Sequence, residues 1–221
     1  MVWTYADIKP NTICPVIANA SLDCKSLAPI WETVARDFSA EANVLIAKVD
    51  AEAENAKATA QEQGVKSYPT IKYFPKGSTT PELYEGGRTE EALLEFMNGK
   101  AGTYRMAGGK LNTFGGTVPS LDSILIKLTG GGTVATLSEE LKGAASGLKD
   151  KYAQYYVKVA DKFSKNQDYV EKELTRLQGL LKKGGLAPEK ADDLTARSNI
   201  LMRFRKTNSV QDILKDVKDE L

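Results

Sequence analysis

The chain has 221 residues, of which 42% are hydrophobic and 27% charged, and its formal net charge is +1. This composition is typical of a globular protein with one or two domains and argues against disorder or a disulfide-dense miniprotein. The absence of histidine excludes imidazole general bases, histidine-dependent triads and Cys/His zinc sets. The near-neutral charge gives no reason to expect nucleic acid, and no apolar run is long enough for a membrane span.

Charge divides the chain into two parts. Residues 1–102 carry 10 basic and 14 acidic side chains, a net −4, whereas residues 103–221 carry 20 and 15, a net +5. Both cysteines, Cys14 and Cys24, lie in the first part. This shift predicts two domains, joined by a glycine-rich linker at 103–118.

The first part alternates strand and helix patterns. Pro10 and Pro15 are expected to interrupt regular structure at its start. The predicted elements are a short strand at 13–18, a helix at 22–40, a strand at 44–49, a helix at 53–63, strands at 70–74 and 82–85, and a last helix capped by Thr89. This order predicts a mixed sheet with helices on both faces.

The second part has helical periodicity throughout and predicts a bundle of four or five helices. The predicted segments are 121–128, a helix capped by Thr136, the stripe from Tyr152 to Phe163, 170–181, a helix that starts at Pro188, and a short piece at 210–214. The aromatic stripe is interpreted as core, and the basic cluster at 203–206 as solvated charge.

Separated segments resemble the protein disulfide isomerase family. The stretches CKSLAPIW at 24–31, VDA at 49–51, YPTIKYF at 68–74 and YEGGRT at 84–89 are similar, in order and spacing, to segments of its thioredoxin-like domains. The resemblance implies an α/β thioredoxin-like domain at 24–102 whose N-terminal part is missing or altered. It also implies an all-α domain at 119–217 similar to the D domain of fungal and plant isomerases. The last four residues, Lys218, Asp219, Glu220 and Leu221, match the KDEL signal that a receptor reads to retrieve proteins to the endoplasmic reticulum.

The resemblance places a C-G-H-C motif at the start of the first helix, and this chain departs from it. Ser21 takes the position of the nucleophilic cysteine, Asp23 that of the histidine, and Cys24 that of the resolving cysteine. A serine hydroxyl has too high a pKa to attack a disulfide at neutral pH, and Asp23 disfavours a thiolate at Cys24. Ser21 can also be interpreted simply as a helix N-cap. Cys24 is either an inert, half-buried thiol or a reactive single thiol. A disulfide between Cys14 and Cys24 stays open as well.

Other family positions are retained. The resemblance implies that Pro69 follows a cis peptide bond, that Tyr68 and Thr70 bind clients beside it, and that Arg88 lowers the pKa of the resolving cysteine. A plain turn proline and a solvated arginine are the alternatives. The resemblance implies no cofactor and no metal ion.

The opening segment, 1–23, is expected to be atypical for the family. Its single basic residue, Lys9, and the lack of an apolar core do not resemble a secretory signal peptide. Fewer residues precede Ser21 than a strand, a helix and a central strand require. The hypothesis is that this segment is not the family's native sequence and arises from a truncated gene, an alternative first exon or a mispredicted start.

Three functions are consistent with these residues. The first is thiol–disulfide exchange in the folding of secretory proteins in the endoplasmic reticulum lumen, weakened or abolished by the missing cysteine. The second is redox-inactive binding of unfolded or disulfide-containing secretory proteins, and the third is a fragment with no function of its own. The KDEL receptor is the expected retrieval partner, and a homodimer through the helical domain is left open.

Overall fold

The computed structural model describes residues 11–18, 21–54, 56–128 and 134–219, with backbone alone for 128, 134–135 and 206–219. The chain forms two compact units that divide between Asn112 and Thr113. Among the described residues, no helix is both long and apolar enough to cross a membrane.

The first unit is built on a mixed sheet. Its strands are β1 Thr12–Ile17, β2 Leu45–Ile46, β3 Val49–Asp50, β4 Thr70–Phe74 and β5 Glu82–Leu83. The central strand β1 pairs in parallel with β2 and β3 on one side and antiparallel with β4 on the other, and β4 pairs antiparallel with β5. The segment predicted to be atypical, 1–23, therefore contains the central strand of the sheet, β1.

Pro15 does not interrupt this central strand, contrary to the prediction. Instead, the segment that runs parallel to β1 is divided into two short strands, β2 and β3. Ile13 pairs with Ile46 and Val16 pairs with Val49, while residues 47–48 lie outside the named strands. In a parallel ladder of this register, the residue 15 N–H would donate to the carbonyl of residue 47, and proline has no N–H. The indole Nε1 of Trp31 donates to the Ala47 carbonyl instead, at 2.8 Å.

In the described part of the first unit, three helices cover the sheet: α1 Leu22–Asp37, α2 Lys57–Glu62 and α3 Glu90–Ala101. Helices α1 and α3 pack on one face, in a buried cluster that includes Ile13, Leu27, Trp31, Leu93 and Met97. On the other face a smaller cluster contains Val16, Ala51 and Ala60, and Ala60 belongs to α2. The Thr89 hydroxyl caps α3 as predicted, accepting a hydrogen bond from the Ala92 N–H at 3.3 Å.

Two acidic side chains join the end of α1 to the start of α3. Asp37 is only 3% exposed. Burial raises the pKa of Glu90, and the charge of Asp37 and a hydrogen bond between the two side chains raise it further, as does the charge of Glu91, while the charge of Arg36 acts in the opposite direction. The neighbouring carboxylate of Asp37 thus favours the protonated form of Glu90.

The first part of the predicted linker is folded. Arg105 and Leu111 form an isolated antiparallel bridge. The Arg105 side chain is buried, and its Nε lies 2.7 Å from a Glu41 carboxylate oxygen while a second guanidinium nitrogen donates to the Gly109 carbonyl at 2.7 Å. The Asn98 side chain accepts from the Arg105 N–H at 2.8 Å and donates to the Arg105 carbonyl at 2.7 Å. These bonds fix the segment 103–112 to the first unit.

The second unit is a bundle of helices. They are α4 Pro119–Leu128, α5 Val134–Ser146, α6 Ala153–Lys165, α7 Tyr169–Lys183 and α8 Pro188–Asp219. Thr136, expected to be a cap, lies inside α5, and the piece at 210–214 is a continuous part of α8.

The aromatic stripe of α6 is core, as predicted. Tyr156 and Phe163 are 0% and 3% exposed. The Tyr156 hydroxyl donates to an Asp122 carboxylate oxygen at 2.6 Å and accepts from the Val118 N–H at 3.1 Å. The cluster at 203–206 was expected to be solvated, but Phe204 is 2% exposed, because α8 turns this residue into the core.

Gly116 shows why the entry loop of this unit needs a glycine. Its φ is +80°, which side chains rarely adopt, and an added Cβ would lie 2.2 Å from the Cβ of Ala196. The loop is also tied to α8, since the Asn199 side-chain amide donates to the Gly115 carbonyl at 2.9 Å.

Candidate functional site

Ser21 occupies the N-cap position of α1, as predicted, but its side chain makes no capping hydrogen bond. Its backbone is extended, with φ −75° and ψ 129°. Its N–H donates to the Ala18 carbonyl at 3.1 Å, and its carbonyl accepts from the Lys25 N–H at 3.1 Å. The hydroxyl of Ser21 therefore takes no part in helix capping.

Cys24 is buried rather than half-buried, at 3% exposure. It is the third residue of α1, one turn below the N-cap. The N–H of Ala18, just after β1, donates to its sulfur at 3.4 Å. Helix N-termini stabilise thiolates, but a sulfur at this exposure presents little surface to a client disulfide.

Cys14 lies in β1 and does not pair with Cys24. Both cysteines are free thiols. Ile13 packs in the cluster that contains α1, and because successive side chains of a strand alternate, Cys14 points to the opposite face of the sheet from that helix. Burial raises the pKa of the Cys14 thiol to about 12, which makes it a poor nucleophile at neutral pH. The disulfide that the sequence left open is not formed.

The proline loop meets the same end of the sheet. The Tyr68–Pro69 peptide bond is cis, the conformation expected from the resemblance. Val16 pairs with Thr70, so this loop lies beside the end of β1, where the chain leads to Cys24. The Thr70 hydroxyl donates to the Ser67 carbonyl at 2.6 Å, which orders the loop from within.

Arg88 bonds to this loop. Its guanidinium donates to the Pro69 carbonyl at 3.4 Å, and the residue is exposed. This contact fits neither expectation completely, because the arginine is not merely solvated and its described bond does not go to a cysteine. Its effect on the pKa of Cys24 stays a prediction.

Two apolar side chains stand out at this end of the first unit. Leu22 is 77% exposed and Tyr68 is 39% exposed. The sequence analysis did not single out Leu22. A signal was present, because Leu22 lies outside the helical spacing of the buried residues of α1, as an exposed apolar residue does. Both side chains offer apolar surface at this end of the first unit, whereas Pro69 and Cys24 are buried.

The retrieval signal falls at the end of the chain. Lys218 and Asp219 are the last residues of the described backbone of α8, and their side chains are not described. Glu220 and Leu221 lie outside the described residues.

Comparison with protein families finds a match in each unit. Residues 11–99 match the thioredoxin family, beginning upstream of the boundary predicted at residue 24. Residues 116–204 match the C-terminal domain of the endoplasmic reticulum protein ERp29. These matches agree with the mixed sheet of the first unit and the helical bundle of the second.

Several curated proteins are similar over most of the chain. The protein disulfide-isomerase tigA of Aspergillus niger is 57% identical over 198 residues, which cover 90% of this chain and 52% of that protein. The protein disulfide-isomerase erp38 of Neurospora crassa is 50% identical over 202 residues, with 90% and 53% covered. The probable protein disulfide-isomerase A6 of Medicago sativa is 38% identical over 188 residues, with 82% and 50% covered. The chain spans about half the length of these relatives. With a thioredoxin domain followed by an ERp29-type C-terminal domain, it belongs to the protein disulfide isomerase family.

Proposed function

We propose that this chain is a member of the family that binds client proteins in the endoplasmic reticulum lumen without catalysing dithiol exchange. One observation carries the proposal: Cys24 has no second thiol with which to close a disulfide. Ser21 stands three residues before it, and Cys14 lies on the far face of the sheet. A catalytic cycle needs one thiolate to attack the client disulfide and another to release the mixed disulfide that results.

Client binding is assigned to the end of the first unit around the proline loop. The exposed side chains of Leu22 and Tyr68 supply apolar contact of the kind that unfolded segments seek. Thr70 and Arg88 are assigned to holding the loop in place, through the hydrogen bonds to Ser67 and Pro69. The clients are unfolded or disulfide-containing secretory proteins, as the names of the relatives suggest.

Luminal placement is supported by the last four residues, 218–221, which match the retrieval signal, and by the family of the second unit, named for an endoplasmic reticulum protein. The KDEL receptor is the proposed partner for retrieval. A homodimer through the helical unit is a further proposal, and sedimentation equilibrium of the full chain tests it.

Insulin reduction in the presence of glutathione tests the redox part of the proposal. The wild-type chain is expected to reduce insulin at the uncatalysed rate, whereas Ser21→Cys, which restores a C-x-x-C spacing, is expected to gain turnover. Cys14→Ser is the matched control, because it removes a thiol away from the motif, and it should leave both proteins unchanged. Wild-type turnover equal to that of Ser21→Cys contradicts the proposal.

Aggregation of a reduced client protein tests the binding part. The chain is expected to suppress aggregation, and Cys24→Ser should leave the suppression intact, since no covalent step is involved. Leu22→Ser and Tyr68→Ser should weaken it. A chain that fails to suppress aggregation and shows a broad, non-cooperative melt of the first unit would favour the third function, a fragment without activity.

A second candidate is covalent trapping of clients by Cys24 alone. The hydrogen bond from the Ala18 N–H to the Cys24 sulfur, at 3.4 Å, favours it, because the bond fixes the sulfur beside the end of β1. Non-reducing gels of the chain incubated with a disulfide-bonded client distinguish the two. A mixed disulfide that disappears in Cys24→Ser supports trapping.

A further inference from the structure

The helical unit contains a buried hydroxyl that has no hydrogen-bond partner. The Tyr155 Oη, on α6, is buried without a donor or an acceptor among the described residues. The hydroxyl of the next residue, Tyr156, is also buried, but it bonds to Asp122 and to the Val118 N–H. A buried polar group without a partner destabilises a fold, so the stability of the bundle does not account for the Tyr155 hydroxyl.

Other donors without acceptors lie beside this hydroxyl. The Arg197 guanidinium of α8 lies over the Tyr155 ring, with its central carbon 5.1 Å from the ring centroid. The Arg197 Nε donates to Asp193 at 3.2 Å, whereas its terminal nitrogens make no hydrogen bond to the described residues. The Tyr169 hydroxyl of α7 is within electrostatic range of Tyr155 and is likewise unbonded in the described part of the chain. Three helices thus bring hydrogen-bond donors close together.

The charges around these donors favour an anion. Two nitrogens of Arg176 donate to the Glu173 carboxylate, at 2.7 and 2.8 Å. These bonds hold the pKa of Glu173 below its ordinary value despite burial, and the charges of Lys158 and Arg197 lower it further. Asp193 is engaged by Arg197, while Lys158 has no ion-pair partner among the residues described. The basic side chains of the cluster therefore outnumber the acidic ones.

The chemistry of the donors fits a carboxylate. Burial raises the pKa of the Tyr155 hydroxyl well above its ordinary value, and the charges of Tyr169 and Glu173 raise it further. The charges of Arg197 and Arg176 oppose this shift without reversing it, so the hydroxyl is a neutral donor at physiological pH. A phenol, a guanidinium and an ammonium group together supply the hydrogen bonds that a carboxylate accepts. A phosphate ester, with its greater negative charge, would meet more repulsion from Glu173.

We propose that Tyr155, Lys158, Tyr169 and Arg197 form a carboxylate site, which binds a polypeptide partner through an acidic side chain or a free chain end. The Arg197 side chain is 40% exposed, so its movement off the Tyr155 ring opens the buried hydroxyl to a carboxylate that arrives from solvent. The carboxylate gives the Tyr155 hydroxyl the acceptor that the described residues do not provide. This site belongs to the second unit and is additional to the client surface proposed for the first.

The stability of Tyr155→Phe in the full chain tests the state of the hydroxyl. Because the hydroxyl is buried without a partner, its removal is expected to leave the far-ultraviolet melting temperature of the helical unit equal to or above that of the wild type. Tyr156→Phe, the same change at the next residue, should lower it, since two hydrogen bonds are lost. A lower melting temperature for Tyr155→Phe overturns the proposal, because the hydroxyl would then have a structural partner.

Fluorescence anisotropy tests the ligand with three alanine–glycine peptides that carry a dye at the N-terminus. One has a free C-terminal carboxylate, one is C-terminally amidated, and one is amidated but contains an internal glutamate. The full chain is expected to bind a carboxylate-bearing peptide in preference to the amidated one. Tyr155→Phe and Arg197→Gln should each weaken this binding at least about tenfold, since each removes a hydrogen bond to a charged group. Lys127→Gln, which removes a positive charge on α4, is the matched control and should bind as the wild type does.

The three peptides distinguish the sources of the carboxylate. Preference for the free end identifies a chain terminus, and preference for the internal glutamate identifies an acidic side chain. Equal affinity for all three peptides, or no binding at millimolar concentration, overturns the site. Unchanged affinity in Tyr155→Phe overturns it as well, because the buried hydroxyl would then take no part in binding.

Discussion

Arg105→Ala is expected to destabilise the first unit strongly, although sequence composition assigns this residue to a linker. The Arg105 and Glu41 side chains are 4% and 19% exposed, and their charged atoms lie 2.7 Å apart. Removing one member of a buried ion pair costs about 3–5 kcal/mol, because the other charge is left without a partner. Glu41 retains some contact with water and can rehydrate, so we expect about 3 kcal/mol, including the lost bond to Gly109.

Tryptophan fluorescence measures this effect selectively, because both tryptophans of the chain belong to the first unit. In a unit of this size, about 3 kcal/mol lowers the melting midpoint by roughly 12–24 °C. Arg105→Lys should fall between the wild type and Arg105→Ala, since lysine keeps the charge but not the planar fork. Lys57→Ala, which breaks an exposed pair with Glu54, is the control and should cost less than about 0.5 kcal/mol. A wild-type midpoint for Arg105→Ala would refute the view that 103–112 belongs to this unit.

Three further changes test other parts of the fold. Trp31→Phe should lower the free energy of unfolding by about 1 kcal/mol in urea titrations followed by circular dichroism, because the partly buried Ala47 carbonyl loses its donor; an unchanged free energy would contradict the view that the indole replaces the missing N–H of Pro15. Gly116→Ala should destabilise the helical unit by about 2–4 kcal/mol through strain and overlap, read by its far-ultraviolet melt, whereas Gly147→Ala, at an open position, is neutral. Glu90→Gln concerns pH: a raised folded-state pKa makes the protonated pair with Asp37 stabilising at low pH, and this contribution is lost as pH rises through that pKa. The glutamine variant should therefore melt higher than wild type at neutral pH and depend less on pH, and a lower neutral-pH melting point would refute the assignment.

Much of the fold follows from patterns that local chemistry controls. The strand at 70–74 and the N-cap at Thr89 were predicted residue by residue, because β-branched runs and capping residues act over short distances. The prediction that Pro15 interrupts regular structure was wrong. Proline argues against a central strand unless a distant group supplies the hydrogen bond that its missing N–H would donate. That group, the indole of Trp31, is recognisable only once the helix has been placed against the strand.

The candidate site shows the same division. The cis bond before Pro69 and the N-cap position of Ser21 could be predicted from resemblance and from residue type. The burial of Cys24 and the separation of Cys14 onto the other face could not, because both depend on how the helix packs against the sheet. Likewise, the ordering of the segment around Arg105 depends on a carboxylate that lies 64 residues earlier in the chain.

The indole that serves the Ala47 carbonyl constrains how this sheet can evolve. As long as residue 15 is proline, loss of Trp31 removes the donor that the partly buried Ala47 carbonyl uses, so the two positions are epistatic. A lineage can exchange the tryptophan at low cost only after residue 15 has regained an N–H. The order of the two mutations, and not only their identity, then decides whether the intermediate folds.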